Sequence, residues 1–258
     1  MNTTITPLAA FDDNYIWCIA DAQQKKIAVV DPGDAQPVID FAAANGYQLV
    51  AILITHHHFD HTGGIPALLQ AFGDMPVYGG CESPCTHINH VVQDQDSISV
   101  LGQKFSLLTI PGHTLDHVAY YDKENQQLLC GDTLFLGGCG RVFEGTMPQM
   151  HKSLQLLMSL PEATLAYPTH EYSLANLAFA AAVEPDNQDI QQAIQQAKQL
   201  RAKNSPTLPM QLSKEALVNP FVRCHIPNVI VAAQQRAASK LDSQADVFAT
   251  LREWKNQF

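Results

Sequence analysis

The chain has no continuous apolar stretch approaching the ~20 residues that cross a bilayer. Its opening residues, MNTTITPLAAFDDNY, also lack the basic segment and unbroken apolar run of an export signal. The expectation is a soluble, cytoplasmic protein with no membrane partner. Charge is scarce, at 16% of residues, and 15 Lys and Arg against 25 Asp and Glu leave a formal net charge of −10. No basic patch is segregated, so a sequence-independent grip on nucleic acid is excluded: an acidic surface repels phosphate. Six cysteines (Cys18, Cys81, Cys85, Cys130, Cys139, Cys224) show no disulfide-framework spacing, and a chain of 258 residues needs no such staples, so reduced thiols are expected. Repeats and low-complexity tracts are missing too, and the Gln-rich stretch at 188–199 reads as an exposed helix face. What remains is ample apolar material, 46% of residues, for one large α/β domain or a domain with an appendage.

Up to about residue 172, short β-rich runs alternate with Gly and Pro. Ile27–Val30 precedes Asp31-Pro32-Gly33, Val50–Ile54 precedes a polar burst, Phe105–Ile110 precedes Pro111-Gly112, and Leu128–Cys130 precedes Gly131-Asp132. Such runs read as buried strands with ionisable groups gathered at their ends, where sites grow. Beyond Ser173 the texture turns helical over Leu174–Val183, Asp189–Lys203, Val229–Leu241 and Ala245–Trp254, with Pro185, Pro206, Pro209, Pro220 and Pro227 between. In the last segment Val247, Leu251 and Trp254 share one apolar face, which predicts docking on the first domain. The expected domains are 1–172 and a smaller helical domain, 173–258.

The densest chemistry follows the second strand: Thr55-His56-His57-His58-Phe59-Asp60-His61-Thr62-Gly63-Gly64, with H-x-H-x-D-H at its core. Imidazole and carboxylate together suit divalent zinc, iron or manganese, and the lack of a cysteine argues against a closed structural zinc site. A tight turn lets His56 and His58 point one way and Asp60 and His61 the other, so two ions are expected. Four residues do not complete two coordination shells. His113, Asp132 and His170, each after an apolar run and a turn former, are the further candidates. Two cations about 3.5–4 Å apart can share a water and lower its pKa toward 7, giving hydroxide without a dedicated protein base. A pattern of Cys81, Cys85, His87 and His90 superficially suggests a zinc finger, but its middle gap is too short.

The strings THHHFDH, PGHT, GDTLF and HEY, within residues 55–172, resemble the metallo-β-lactamase superfamily, and their wording resembles its glyoxalase II family. That resemblance implies a four-layer αββα sandwich followed by the helical domain. It also implies His56, His58 and His113 on one metal and Asp60, His61 and His170 on the other, with Asp132 bridging and zinc the leading ion. Asp60 and Asp132 would then act in catalysis, while His57 and His117 fall outside the ligand pattern. The implied reaction is hydrolysis of S-D-lactoylglutathione to D-lactate and glutathione, the second step of methylglyoxal detoxification, by a monomer. Three further stretches carry the family's glutathione contacts: Gly137–Gly145, His170-Glu171-Tyr172 and Arg252–Phe258. By resemblance, Arg141, Tyr172, Arg252 and Lys255 bind the tripeptide. Arg252 and Lys255, three apart on one helix, make a cationic pair that an anion relieves. The chain departs from relatives at Phe143, where some have Tyr, at Asp116, where Gly is common, and at Arg141, where some have Lys. Asn219-Pro220-Phe221 also resembles the family's tail but carries no assigned chemistry. A mononuclear-iron persulfide dioxygenase is the competing reading on the same fold; the complete Asp60, His61 and His170 set and the long tail argue against it. A degenerate, non-enzymatic scaffold conflicts with seven filled ligand positions.

Overall fold

A computed structural model describes residues 3–258. They fall into two compact units that no single cut in the sequence separates. One holds the residues up to Thr109, Asp116–Gly131 and Tyr167–His170; the other holds Ile110–Leu115, Asp132–Ala166 and Glu171–Phe258.

In the first unit, β1 (Thr3–Ala10), β2 (Asn14–Asp21), β3 (Lys26–Val30), α1 (Gln36–Asn45), β4 (Gln48–Leu53), α2 (Phe59–Thr62), α3 (Ile65–Phe72), β5 (Val77–Gly80) and β6 (His90–Val92) follow in order. The six strands form one sheet in sequence order, antiparallel through β3 and parallel from β3 to β6. Parallel neighbours need crossovers, and α1 and α3 supply two of them. β7 (Ser97–Val100), β8 (Gln103–Thr109), β9 (Val118–Asp122) and β10 (Gln127–Gly131) form an antiparallel run in the second sheet. Alternation along β2 sorts the layers. Ile16, Cys18 and Ala20 join Val38 and Ala42 of α1 and Ile65 and Leu68 of α3 in one apolar core. Trp17 turns the other way: its ring meets Tyr167 edge-on at 5.0 Å, and its Nε1 donates to the Pro168 carbonyl at 2.9 Å. Every residue of β2 is buried, so the polar half of the alternation is missing.

The second unit contains β11 (Leu134–Phe135), β12 (Gly138–Cys139), α4 (Met147–Met158), the start of β13 (Leu165–Pro168), α5 (Ser173–Val183), α6 (Gln188–Arg201), β14 (Met210–Gln211), α7 (Leu212–Val218), a 3₁₀ turn (Pro220–Val222), α8 (Pro227–Ala237) and α9 (Gln244–Gln257). The helical segments read from the sequence stand, except that α8 stops at Ala237, where Ala238 turns left-handed at φ 52°. The sequence reading missed α4, although Thr146 and Gln149 form a reciprocal cap at its start. It also missed α7 and the 3₁₀ turn, hidden among prolines read as breakers. Here Pro220 initiates the turn and the Asn219 side chain caps it. On α9, Val247 and Leu251 are buried, and Phe248 packs on His151 of α4 and on Phe221 at 5.5 and 5.8 Å. Trp254 sits edge-on to Phe179.

No helix of the described residues is long and apolar enough to cross a membrane, and all six cysteines are free.

Glu215 of α7 is wholly buried, and burial pushes its carboxyl up from 4.5 to about 7 although Gly137 N and Asn219 donate to it. Across that window the native protein keeps a proton that the unfolded chain has released, so stability falls as pH rises. Glu215→Gln is isosteric and never ionises. The variant's melting temperature relative to wild type is therefore expected to climb between about pH 5 and 8, by the equivalent of up to about 3 kcal/mol. Parallel thermal melts check this; an unchanged difference across the range contradicts it.

Candidate metal centre

In the first unit the chain leaves β4, passes Thr55, and delivers His56, His58, Asp60 and His61 within six residues, Asp60 and His61 on the single turn α2. His56 and His61 are fully buried. His56 Nε2 and His58 Nδ1 lie 3.1 Å apart. His170 follows β13, and one oxygen of Asp60, Oδ2, is 3.5 Å from His61 Nε2 and 3.4 Å from His170 Nε2. Ligands placed tetrahedrally at ~2.0–2.1 Å from one ion are ~3.3–3.4 Å from each other, so the Asp60, His61 and His170 set matches the edges of a divalent-cation site.

The rings are held so that Nε2 points inward. Asp13 accepts from His170 Nδ1 at 2.8 Å, and an Asp31 oxygen lies 3.0 Å from His61 Nδ1. A carboxylate behind a ligating imidazole fixes its tautomer and raises its basicity. Asp31 is itself fixed, accepting from Thr55 N (2.8 Å), Thr55 Oγ1 (2.7 Å) and Thr169 Oγ1 (3.4 Å). Asn14 donates to Asp60 Oδ2 at 3.1 Å and to its carbonyl at 3.3 Å, orienting the carboxylate. Asp13, Asn14 and Asp31 were not among the sequence candidates. Asp31 gave a signal, being an acid at a strand end like the ligands themselves, but Asp13 and Asn14 read as ordinary turn residues. The backbone takes part as well: a Cβ on Gly33 would lie 1.9 Å from the Asp60 carbonyl oxygen, so the 31–33 loop passes the metal loop only because residue 33 has none.

His57 is turned away, its Nδ1 2.8 Å from Asp116, so that buried acid has a histidine partner. His117 is buried and stacks on His56 at 4.7 Å. Cys81, Cys85, His87 and His90 do not converge as a ligand cluster among the described residues.

In the second unit, His113 Nε2 and Asp132 Oδ2 are 3.6 Å apart, both side chains nearly buried. His113 Nδ1 donates to the Arg141 carbonyl at 2.7 Å, the tautomer that leaves Nε2 for a ligand. A Cβ on Gly140 would lie 1.9 Å from the Asp132 carbonyl oxygen and 3.2 Å from His113 Nδ1.

The four residues expected to bind substrate all fall in this unit but in different surroundings. Arg141 is exposed, its guanidinium 5.8 Å from the exposed Phe143 ring, and Tyr172 is 38% exposed beside Phe135. Lys255 is half-buried, donating to the Ala175 carbonyl at 3.2 Å; burial first, and Arg252 second, lower its pKa. Arg252 is only 5% exposed, donates to the Cys139 carbonyl at 2.7 Å, and lies over the Phe221 ring.

Residues 12–170 match the metallo-beta-lactamase superfamily, and residues 171–258 match the family described as hydroxyacylglutathione hydrolase C-terminus. A hydroxyacylglutathione hydrolase of Chromohalobacter salexigens is 47% identical over 256 residues, 99% of each chain. Among solved structures, ETHE1 from Myxococcus xanthus superposes with a TM-score of 0.67 at 22% identity, covering 98% of this chain and 91% of its own. TTHA1623, solved in a di-iron-bound form, gives 0.58 at 24% identity, with 84% and 99% covered. These last two likenesses carry the fold.

Proposed function

Since the chain belongs to the metallo-beta-lactamase superfamily and, within it, to the hydroxyacylglutathione hydrolases, we propose that it hydrolyses the thioester of S-2-hydroxyacylglutathiones, S-D-lactoylglutathione above all, to the hydroxy acid and glutathione. The observation that carries this reading is the Asp60, His61 and His170 cluster, three inward ligand atoms with carboxylates behind both rings. The donor set is nitrogen and carboxylate oxygen throughout, which suits zinc, iron or manganese; zinc is our first choice. We assign His56, His58 and His113 to one ion, Asp60, His61 and His170 to the other, and Asp132 to both. Bound there, two divalent cations would supply an acidified water at neutral pH and a Lewis acid for the acyl carbonyl.

The chain's own groups do the rest. Asp60, oriented by Asn14, presents an acceptor beside His61 and His170 that aims an attacking water. Asp13 and Asp31 keep the two imidazoles in the tautomer that faces Asp60. The departing glutathione thiolate, conjugate base of a thiol with a pKa near 8.5–9, needs little acid assistance. We assign Arg141, Tyr172 and Lys255 to the tripeptide's carboxylates and backbone, and the fork of Arg141 can hold a carboxylate bidentately. Buried Arg252 acts from beneath, on the backbone of the same loop. Six free thiols fit work in the reducing cytoplasm, and we assign the active form as a monomer.

The test is direct. Purified, metal-loaded protein is mixed with S-D-lactoylglutathione; thioester absorbance and released thiol are followed together with oxygen uptake. Loss of thioester matched one for one by thiol, without oxygen consumption, is expected. Intact thioester with fully metallated protein, accompanied by oxygen uptake on a glutathione persulfide, would replace this reading with the dioxygenase.

A further inference from the structure

We propose that Glu215, Asn219 and Arg252 form a buried clasp that positions the Arg141 carbonyl and, through it, the imidazole of His113. All five residues lie in the second unit. The two-residue strands β11 and β12 make a hairpin, and three side chains from the C-terminal region grip its backbone. Gly137 N donates to Glu215 Oε2 at 2.8 Å. Asn219 Nδ2 donates to the Gly138 carbonyl at 2.8 Å, to the Phe135 carbonyl at 3.2 Å and to Glu215 Oε2 at 3.0 Å. Arg252 takes the Cys139 carbonyl. On the hairpin's flank, the Asn176 amide fills the space a Cβ on Gly138 would need, approaching within 2.5 Å.

Two residues beyond Cys139 is Arg141, whose carbonyl accepts from His113 Nδ1 and leaves His113 Nε2 facing Asp132. The clasp therefore ends on a residue assigned above as a metal ligand.

Polar groups this deeply buried are a poor choice for packing alone. Glu215 and Asn219 are 0% exposed and Arg252 5%, and apolar side chains of like volume would fill the space without the desolvation cost. What apolar residues cannot do is fix four backbone groups, at Phe135, Gly137, Gly138 and Cys139, at hydrogen-bond precision. This also gives the Asn219-Pro220-Phe221 motif a purpose: Asn219 Oδ1 accepts from Phe221 N, which fixes the amide so that its Nδ2 faces the hairpin.

The inference uses the ligand assignment proposed above for His113, but its test reads metal rather than turnover. Metal-free wild type, Glu215→Ala and Glu215→Gln are titrated with zinc against a chromophoric chelator, and thermal melts confirm folding. Glu215→Ala should weaken one of the two zinc equivalents by about 10-fold, the range seen when the support of a ligand is lost, while the other is unchanged. Glu215→Gln keeps the acceptor and should stay within about twofold of wild type. If Glu215→Ala does not fold, Asn219→Ser, which shortens the reach to both carbonyls, carries the same expectation. Two unchanged affinities in a folded Ala or Ser variant overturn the proposal. So does an equal fall in both, or failure of both variants to fold, since the clasp would then hold the fold and not the ligand. A wild type that binds zinc but leaves lactoylglutathione intact sinks the substrate reading and leaves this result standing.

Discussion

Asp60→Ala is expected to lower kcat/KM for lactoylglutathione on the order of 10³-fold or more, roughly 4 kcal/mol of transition-state stabilisation, and to leave about one metal equivalent where wild type holds two. Asp60 Oδ2 is the oxygen that the two Nε2 atoms of its cluster face, at 3.5 and 3.4 Å. Without it the proposed ion keeps two neutral imidazoles and only a share of the Asp132 carboxylate, too little negative charge to hold a dication firmly, and the acceptor proposed to aim the water is lost with it. A half-built site neither retains both ions nor activates water. Metal analysis alongside steady-state kinetics decides the matter: an alanine variant with two equivalents and near-native turnover would remove Asp60 from the mechanism. His113→Ala should lose activity on a similar scale but weaken the other equivalent, so the two variants separate the two sites.

Stripping the metal with a strong chelator should abolish hydrolysis and lower the melting temperature on the order of 10 °C, both recovering when zinc is returned. Binding at about 1,000 times Kd stabilises by ~4 kcal/mol, and for a protein of this size each kcal/mol moves the midpoint by ~2–4 °C. The structure adds a reason: Asp60 Oδ2 faces the Nε2 atoms of His61 and His170 at 3.5 and 3.4 Å, and lone pairs turned on one another at that range repel unless a cation lies among them. A differential scan with and without chelator measures the shift. Equal midpoints and undiminished activity in the stripped protein would mean the cluster is not a metal site.

Much of this was legible in the sequence because the proposed ligands obey a local rule. A strand, a turn former and then a His or Asp recurs at His56, His113, Asp132 and His170, and such periodic, punctuated text survives without knowledge of the fold. Its supports do not obey that rule. Asp31 sits 24 residues before Thr55 and Asp13 157 residues before His170, separations that only the folded sheet closes. Composition was equally silent about the surroundings of Arg252: a basic pair on a helix reads as an anion site, and nothing in it shows that the guanidinium is buried and donates to the Cys139 carbonyl. The strand β2 escaped because no Gly or Pro punctuates its end, which runs into Ala22-Gln23-Gln24.

Two positions described above contain no chemistry at all. Gly33 and Gly140 each abut the carbonyl oxygen of a proposed ligand, Asp60 in one case and Asp132 in the other, closely enough that a single methyl group has nowhere to go. Even the mildest replacement, alanine, would press its methyl group on that carbonyl and push a proposed ligand out of line. An inventory of this enzyme's functional residues that counts only reactive groups therefore undercounts the site by the space it must keep empty.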